Sequence, residues 1–451
     1  MSDSAIIENT VIVVLADVSN SVKSGFVPAL APVATLPVVL RNILSLQGPT
    51  VSRTLLCVDS EWEPQVARAL QRTRRAPKSL EWYESVGPAD LAQVTQHVSA
   101  SGNVIFISGH RSIQPSLLRK ALQWNAPNGA MTFCCGNELV GMYALSKKVA
   151  EKLATECTKP LPTLEDLHDW LKSRCEVEIE EVQDDSWQEI CSRADLIEAE
   201  SKLNHWLVKP TDGIFARMNR RVSIPISRWL LQFRRITPNM VTLFTLWVSF
   251  GAGLFFAYGG YWATVMGAVL SAWASILDGC DGEIARLKLQ STDFGCWLDT
   301  VCDYLYYAFV FGGMAIGFAR TIGPRFTLLW GPLLLLGAVA SFLATGFARH
   351  HFSGKRPEAF LSTWQKKAER RSSNPLLYIG RHCEFIIRRC FLPYAFLAFA
   401  ILNILPVAFV MTAIGANIVW CIALYSCFAL SRRQESRPAT VSATTTVAVT
   451  N

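Results

Sequence analysis

The sequence predicts a multi-domain protein: an N-terminal α/β domain of doubly wound type, then an all-α transmembrane domain of six helices. Three observations carry this. Up to about Ala199, short β-branched runs alternate with runs of helical spacing, the pattern of a parallel sheet covered by helices. From Met240 on come apolar runs rich in Trp, Phe and Gly, several near the ~20 residues a helix needs to cross a bilayer. Basic residues gather at the ends of those runs.

The strand-like runs are VIVVLAD (11–17), RTLLCVD (53–59) and NVIFISG (103–109). Between them LPVVLRNILSL (36–46), WEPQVARALQRT (62–73) and ADLAQVTQHV (89–98) carry apolar residues at helical spacing. These assign 1–205 to a cytosolic α/β domain. The N-terminus has no basic n-region, and VIVVLAD is too short for the core of a signal peptide, so it is expected to be the first strand.

Residues 206–237 form a juxtamembrane linker. Within it TDGIFARMNRRVSIPISRWLLQFRR (211–235) mixes Ile, Phe, Leu and Trp with many arginines. That composition suits an amphipathic helix in the headgroup region, with a break expected near Pro225.

Six spans are predicted within 238–432: 240–259, 261–285, 295–319, 326–348, 386–403 and 406–430. With six, the basic ends fall on one side: Arg234, Arg235, Arg286, Lys288, Arg349, Arg388, Arg389, Arg432 and Arg433. The turns 259–261, 320–325 and 403–406 fall on the other. The positive-inside rule then puts both termini in the cytoplasm of a protein integral to a cytoplasmic or inner membrane. The remainder, 433–451, is Ser/Thr/Val-rich beyond 438 and is expected to be disordered.

The net charge of +7 does not indicate nucleic acid, because the basic residues flank apolar runs and form no single patch. Of these, Arg349, Lys355 and Arg356 suit either anionic membrane lipid or an acceptor phosphate. Thirteen cysteines without a C-x-x-C pair or zinc spacing fit reduced, buried thiols.

The exception to the apolar pattern is ILDGCDGEIARLKLQSTDFGCWLDTVCD (276–303). Asp278 and Asp281 share one helical face, and Gly295, Asp299 and Asp303 form an i, i+4, i+8 stripe on the next helix. Four carboxylates in low dielectric cannot all stay ionised without a counter-charge. Ligation by oxygen alone suits Mg²⁺ or Mn²⁺. Asp278 lies about 12 Å from the cytoplasmic end of its helix, which makes a notch open to that side. A cation path is the alternative the same carboxylates allow. Gly282 and Gly295 on the acidic faces, with Arg286 one turn on, favour instead a bulky phosphate-bearing ligand close to the backbone.

The spacing D-x2-D-G-x2-A-R-x8-G-x3-D-x3-D resembles the signature of the CDP-alcohol phosphotransferase family. Asp278, Asp281, Gly282, Ala285, Arg286, Gly295, Asp299 and Asp303 match it. RITPNMVT (235–242) is similar to the entry into the family's first helix, and the resemblance covers roughly 209–432. It implies displacement of CMP from a CDP-alcohol donor by an alcohol or polyol (phosphate) acceptor. Asp278, Asp281 and Asp299 would hold two divalent ions, and Asp303 would complete the metal site and act as general base. Gly282 and Arg286, with Ala285, Gly295 and Asn239, would contact the CDP moiety. A homodimer is common in that family.

KPTDGIFARMNRRVSIPISRWL (209–230) resembles the joint in inositol-phosphate cytidylyltransferase fusions, and VGMYALSKKVAEKL (140–153) is similar to a late segment of their nucleotidyltransferase-like domain. That resemblance implies a Gly-rich, Arg-containing loop for the triphosphate. Here ADVSNSVKSGFVPALAP (16–32) has neither G-x-G nor arginine, and Gly109 and His110 stand where a metal-binding Asp should follow NVIFIS. The α/β domain is therefore expected to be catalytically stripped.

Overall fold

The computed structural model describes residues 10–16, 26–47, 51–73, 80–85, 89–98, 102–208, 213–233, 235–353 and 390–435. The chain divides into two compact units. The first comprises everything up to Asp212 together with Arg220–Pro238 and Cys280–Asp293; the second comprises Gly213–Asn219, Asn239–Gly279 and the chain from Phe294 on.

The first unit is built on strands β1 (Thr10–Ala16), β2 (Pro32–Val33), β3 (Leu36–Pro37), β4 (Val51–Asp59), β5 (Leu80–Ser85), β6 (Val104–Ser108), β7 (Arg111–Ile113), β8 (Gly129–Cys135), β9 (Glu138–Leu145), β10 (Glu176–Glu181) and β11 (Trp187–Glu189). Its helices are α1 (Val38–Ser45), α2 (Glu63–Thr73), α3 (Leu91–Val98), α4 (Pro115–Gln123), α5 (Lys147–Glu156), α6 (Leu164–Arg174) and α7 (Arg193–Leu207). The three predicted strands and three predicted helices all form. Seven strands make one sheet in the order β10-β8-β9-β6-β1-β4-β5. Helices cover both faces, which is why β6 is buried along its whole length and reads as a continuous apolar run.

The sheet is not wholly parallel, as a simple doubly wound pattern predicts. β9 runs antiparallel between β6 and β8. The physical reason is local: Gly136, at φ +58, permits a two-residue connection from Cys135 to Glu138, and so short a link can join only antiparallel strands.

Helix α8 (Ile214–Leu231) follows, and the expected break at Pro225 does not occur. A proline removes one helical hydrogen bond. Ser223 and Ser227, on either side of Pro225, each donate from Oγ to Glu283, at 2.6 and 2.7 Å, and so tie both flanks of the proline to one partner. Ile214, Met218, Val222 and Trp229 are exposed at helical spacing along one face.

Among the described residues the helices that follow are α9 (Pro238–Tyr258), α10 (Tyr261–Leu287), α11 (Asp293–Thr321), α12 (Pro324–Ser353), α13 (Leu392–Ile401) and α14 (Leu405–Glu435). The predicted turns hold left-handed residues: Gly259 and Gly260 at φ +78 and +80, and Asn403 at +57. Among the described residues four helices, α9 to α12, are long and apolar enough to cross a membrane, while Leu392–Ile401 and Leu405–Ile418 are shorter apolar stretches. The structure thus supports an integral membrane domain with four spans established by length, and does not establish the sixfold count. Residues 386–389 of the predicted fifth span, the 354–389 basic segment and the tail from 436 lie outside the described residues, as do the side chains from 344 to 353.

In the second unit α9 and α11 meet backbone to backbone. A Cβ on Gly313 would fall on the Gly253 carbonyl, and one on Gly253 would lie 2.5 Å from the Phe309 carbonyl. Small residues at a crossing are how helices pack closely in lipid.

Candidate functional site

Asp278 on α10 and Asp299 and Asp303 on α11 each offer one carboxylate oxygen, and the three oxygens lie within 4.8 Å of one another. All three residues are half-buried. Asp299 and Asp303 share a helical face because they are four apart. The facing of the two helices is held by a buried hydrogen bond, Ser271 Oγ to Tyr306 Oη at 2.7 Å. Ser271 lies two turns before Asp278, and Tyr306 one turn after Asp303. From the other side Asn219 Nδ2 donates to the Ser275 carbonyl and hydroxyl, both at 3.3 Å, and Tyr394 Oη donates to Asn219 Oδ1. Ser275 is one turn before Asp278 on α10.

Three converging carboxylates in an apolar helix pair require positive charge, and an all-oxygen donor set fits a hard divalent cation. Residues present and group implied therefore agree.

The fourth predicted ligand, Asp281, sits one turn beyond Asp278 on α10 and is buried; it does not belong to the three-carboxylate cluster, and its Oδ1 lies 2.5 Å from the Gly282 amide nitrogen. Ala285 and Arg286 follow on the last turns of α10 and are half-buried. A methyl group on Gly282 would meet only the Arg286 guanidinium, at 3.8 and 3.9 Å. Packing within the protein does not demand a glycine there, which leaves room for something outside it. Gly295 opens α11 and Asn239 opens α9, both half-buried.

Glu283 is the buried acid of this segment that the sequence reading missed. It occupies a free position of the motif, yet it is wholly buried and receives Ser223, Ser227 and, at 3.1 Å, Arg220 Nη1. The available signal was the pair Ser223 and Ser227, four apart in a helix otherwise arginine-rich and apolar.

In the α/β domain, the place where a carboxylate was expected after β6 holds a closed ionic cluster. Ser108 Oγ lies 3.0 Å from His110 Nδ1, and His110 Nε2 lies 3.1 Å from Glu189 Oε1. Arg111 donates from Nε and Nη2 to the same oxygen, at 3.2 and 3.0 Å, and stacks over Trp187. The His110 hydrogen bond, then the charge and hydrogen bonds of Arg111, hold the Glu189 carboxyl down at about 2 against an ordinary 4.5. Of the loop 16–32, residues 17–25 lie outside the described residues.

Residues 235–365 match the family described as CDP-alcohol phosphatidyltransferase. The chain is 34% identical over 173 residues to a bifunctional IPC transferase and DIPP synthase of Aquifex aeolicus, a match covering 38% of each chain, so it spans well under two thirds of that relative. It is 26% identical over 159 residues to a phosphatidylinositol phosphate synthase of Corynebacterium glutamicum, covering 33% of this chain and 70% of the relative. Among solved structures, the inositol-1-phosphate CTP transferase of T. maritima is similar at 16% identity, covering 43% of this chain and 95% of that one with a TM-score of 0.33. Across residues 235–365, where the acidic cluster lies, the chain carries a domain of the CDP-alcohol phosphatidyltransferase family.

Proposed function

We propose that the protein is an integral-membrane transferase that moves a substituted phosphate from a CDP-alcohol to an alcohol acceptor and releases CMP. The observation that carries this is the convergence of Asp278, Asp299 and Asp303 from two apolar helices within the family-matched segment.

In this reading Asp278, Asp281, Asp299 and Asp303 hold two divalent ions, Mg²⁺ or Mn²⁺. When bound, such ions neutralise the pyrophosphate and stabilise the leaving phosphate oxygen. Asp303 accepts the proton of the acceptor hydroxyl as it attacks the phosphorus. Arg286 and the open backbone at Gly282, with Ala285, Gly295 and Asn239, bind the CDP moiety. The donor is CDP-diacylglycerol or a CDP-polyol. The names of the relatives favour an inositol-phosphate-type acceptor, and the likeness is one of family, not of site. Six spans with both termini cytoplasmic, and a homodimer, complete the proposed arrangement.

The α/β domain makes no CDP-alcohol in this reading. Support comes from Glu189, whose carboxylate is already engaged by His110 and Arg111 near the end of β6. The test uses the purified chain in lipid with Mg²⁺, CDP-diacylglycerol or a CDP-polyol as donor, and a panel of polyols and polyol phosphates as acceptors. CMP release that depends on one acceptor is expected. No CMP from any pairing, or pyrophosphate release from CTP with a polyol phosphate, overturns the respective half of the reading.

A further inference from the structure

The end of α10 is built unusually, and its construction points to a use for the α/β domain. Lys288 N donates to the Ile284 carbonyl, Leu289 N to Arg286, and Gln290 N to Ala285, at 2.8, 3.2 and 2.7 Å. The last two bonds define a Schellman ending, in which the residue one past the cap takes the left-handed conformation that glycine normally fills. Here that residue is Leu289, at φ +51. A branched side chain in this conformation clashes with its own backbone and needs support from its surroundings.

The support comes from the α/β domain. Leu289 packs against the apolar cluster formed by α1, α2, α4 and one face of the sheet. The Schellman bonds leave the Leu287 carbonyl, the last of the helix, unsatisfied. Arg41 of α1 fills that need: its Nη2 donates to Leu287 O and to Val33 O, both at 2.8 Å. Arg41 is 2% exposed, and a buried guanidinium at a helix C-terminus also meets the negative end of the helix dipole. The next residue, Asn42, donates to the Ser108 and Arg111 carbonyls, so α1 is tied to the β6–β7 connection as well. Lys288 Nζ closes the same corner on the Ile236 carbonyl at 2.6 Å.

We infer that the α/β domain serves as an anchor for the motif helix: Arg41 is a positioning residue that, with Leu289, fixes the last turns of α10 and hence Asp281 and Arg286. This rests on the transferase reading above for its catalytic consequence. It gives a domain without nucleotidyltransferase chemistry a mechanical role in the reaction of the other.

The experiment compares the full chain in lipid nanodiscs with Arg41→Ala, Arg41→Lys and Leu289→Gly. Backbone amide exchange at Leu289 and Gln290 is followed without substrate, and kcat and KM for CMP release are measured separately. Arg41→Ala is expected to speed exchange at those two amides and to lower kcat by about 10- to 100-fold, since a small misplacement at a reacting site has that scale. The donor KM should change less, and Arg41→Lys, which keeps one donor, should recover most of kcat. Leu289→Gly suits the left-handed backbone better, so a purely local view expects slower exchange and unchanged kcat. The anchor view expects faster exchange and reduced kcat, and this variant decides if Arg41→Ala fails to fold. Unchanged exchange in both variants, or faster exchange with wild-type kcat, overturns the inference. A wild-type chain that releases no CMP removes the transferase reading, while the exchange comparison still decides the anchor.

Discussion

Asp278, Asp299 and Asp303 bring three acceptor-only groups to within 4.8 Å between two apolar helices, whereas Glu189 in the α/β domain is a lone carboxylate gripped by His110 and Arg111. One brings three oxygen donors together, the set a hard cation takes; the other is held by a histidine and an arginine. The contrast separates a group of convergent carboxylates, which the proposed function uses for chemistry, from a single carboxylate gripped by His110 and Arg111, which is architectural.

The sharpest way to break the comparison is to remove charge from the converging cluster. Asp299→Asn and Asp278→Asn are expected to bring CMP release below detection and to abolish Mn²⁺ binding measured by calorimetry, with folding and membrane insertion retained. Asparagine keeps the shape but withdraws the charge that a hard cation needs. Wild-type turnover by either variant at saturating Mg²⁺ would sink the metal assignment.

Asp303 tests whether the cluster is uniform. If it is the base, Asp303→Asn lowers turnover by about 10²- to 10⁴-fold while much of the metal-dependent donor binding survives. Titration of CDP-alcohol in the presence of Mn²⁺, run beside Asp278→Asn, separates the roles. Equal loss of donor binding in both variants reduces Asp303 to a ligand.

Glu283 lies between the two kinds: buried within the motif, yet fully partnered by Ser223, Ser227 and Arg220. It therefore belongs with Glu189 on the architectural side. Removing one member of a buried pair costs about 3–5 kcal/mol, so Glu283→Ala should lower thermal stability well before it alters the metal affinity of molecules that remain folded. A variant of unchanged Tm but weakened Mn²⁺ binding would move Glu283 to the catalytic side.

Sequence carried the site unevenly. The eight motif positions are legible because a fixed spacing on helices translates directly into shared faces. The α/β elements are legible because burial on both faces of a sheet leaves unbroken apolar strands such as β6. Three features were not. The reversal of β9 depends on a two-residue hairpin at Gly136, a local event that does not disturb the strand pattern. The continuity of α8 through Pro225 goes with bonds from Ser223 and Ser227 to Glu283, some sixty residues on. The Arg41–Leu287 contact joins positions 246 apart, where no periodicity reaches. What pattern encodes is which face a residue occupies; what lies opposite that face is decided by tertiary packing.

The smallest expected effect sharpens the architectural half of the comparison. The folded-state pKa of Glu189 is depressed, to about 2 from 4.5, first by the His110 hydrogen bond and then by Arg111. A depressed carboxylate contributes stability that is fully present above its unfolded pKa and is lost as pH falls through the folded one. The window is therefore from about 4.5 down to about 2. Glu189 is 38% exposed, so solvent screens the interaction and its contribution is modest. In thermal unfolding of the full chain in nanodiscs, wild type should exceed Glu189→Gln near neutral pH. That margin should shrink steadily on acidification and vanish as pH nears the lower limit. Because His110 and Arg111 both donate to one oxygen, Arg111→Gln should narrow the margin without abolishing it. A margin independent of pH would mean that Glu189 holds β7 and β11 together by shape alone, and that the closed cluster owes nothing to charge.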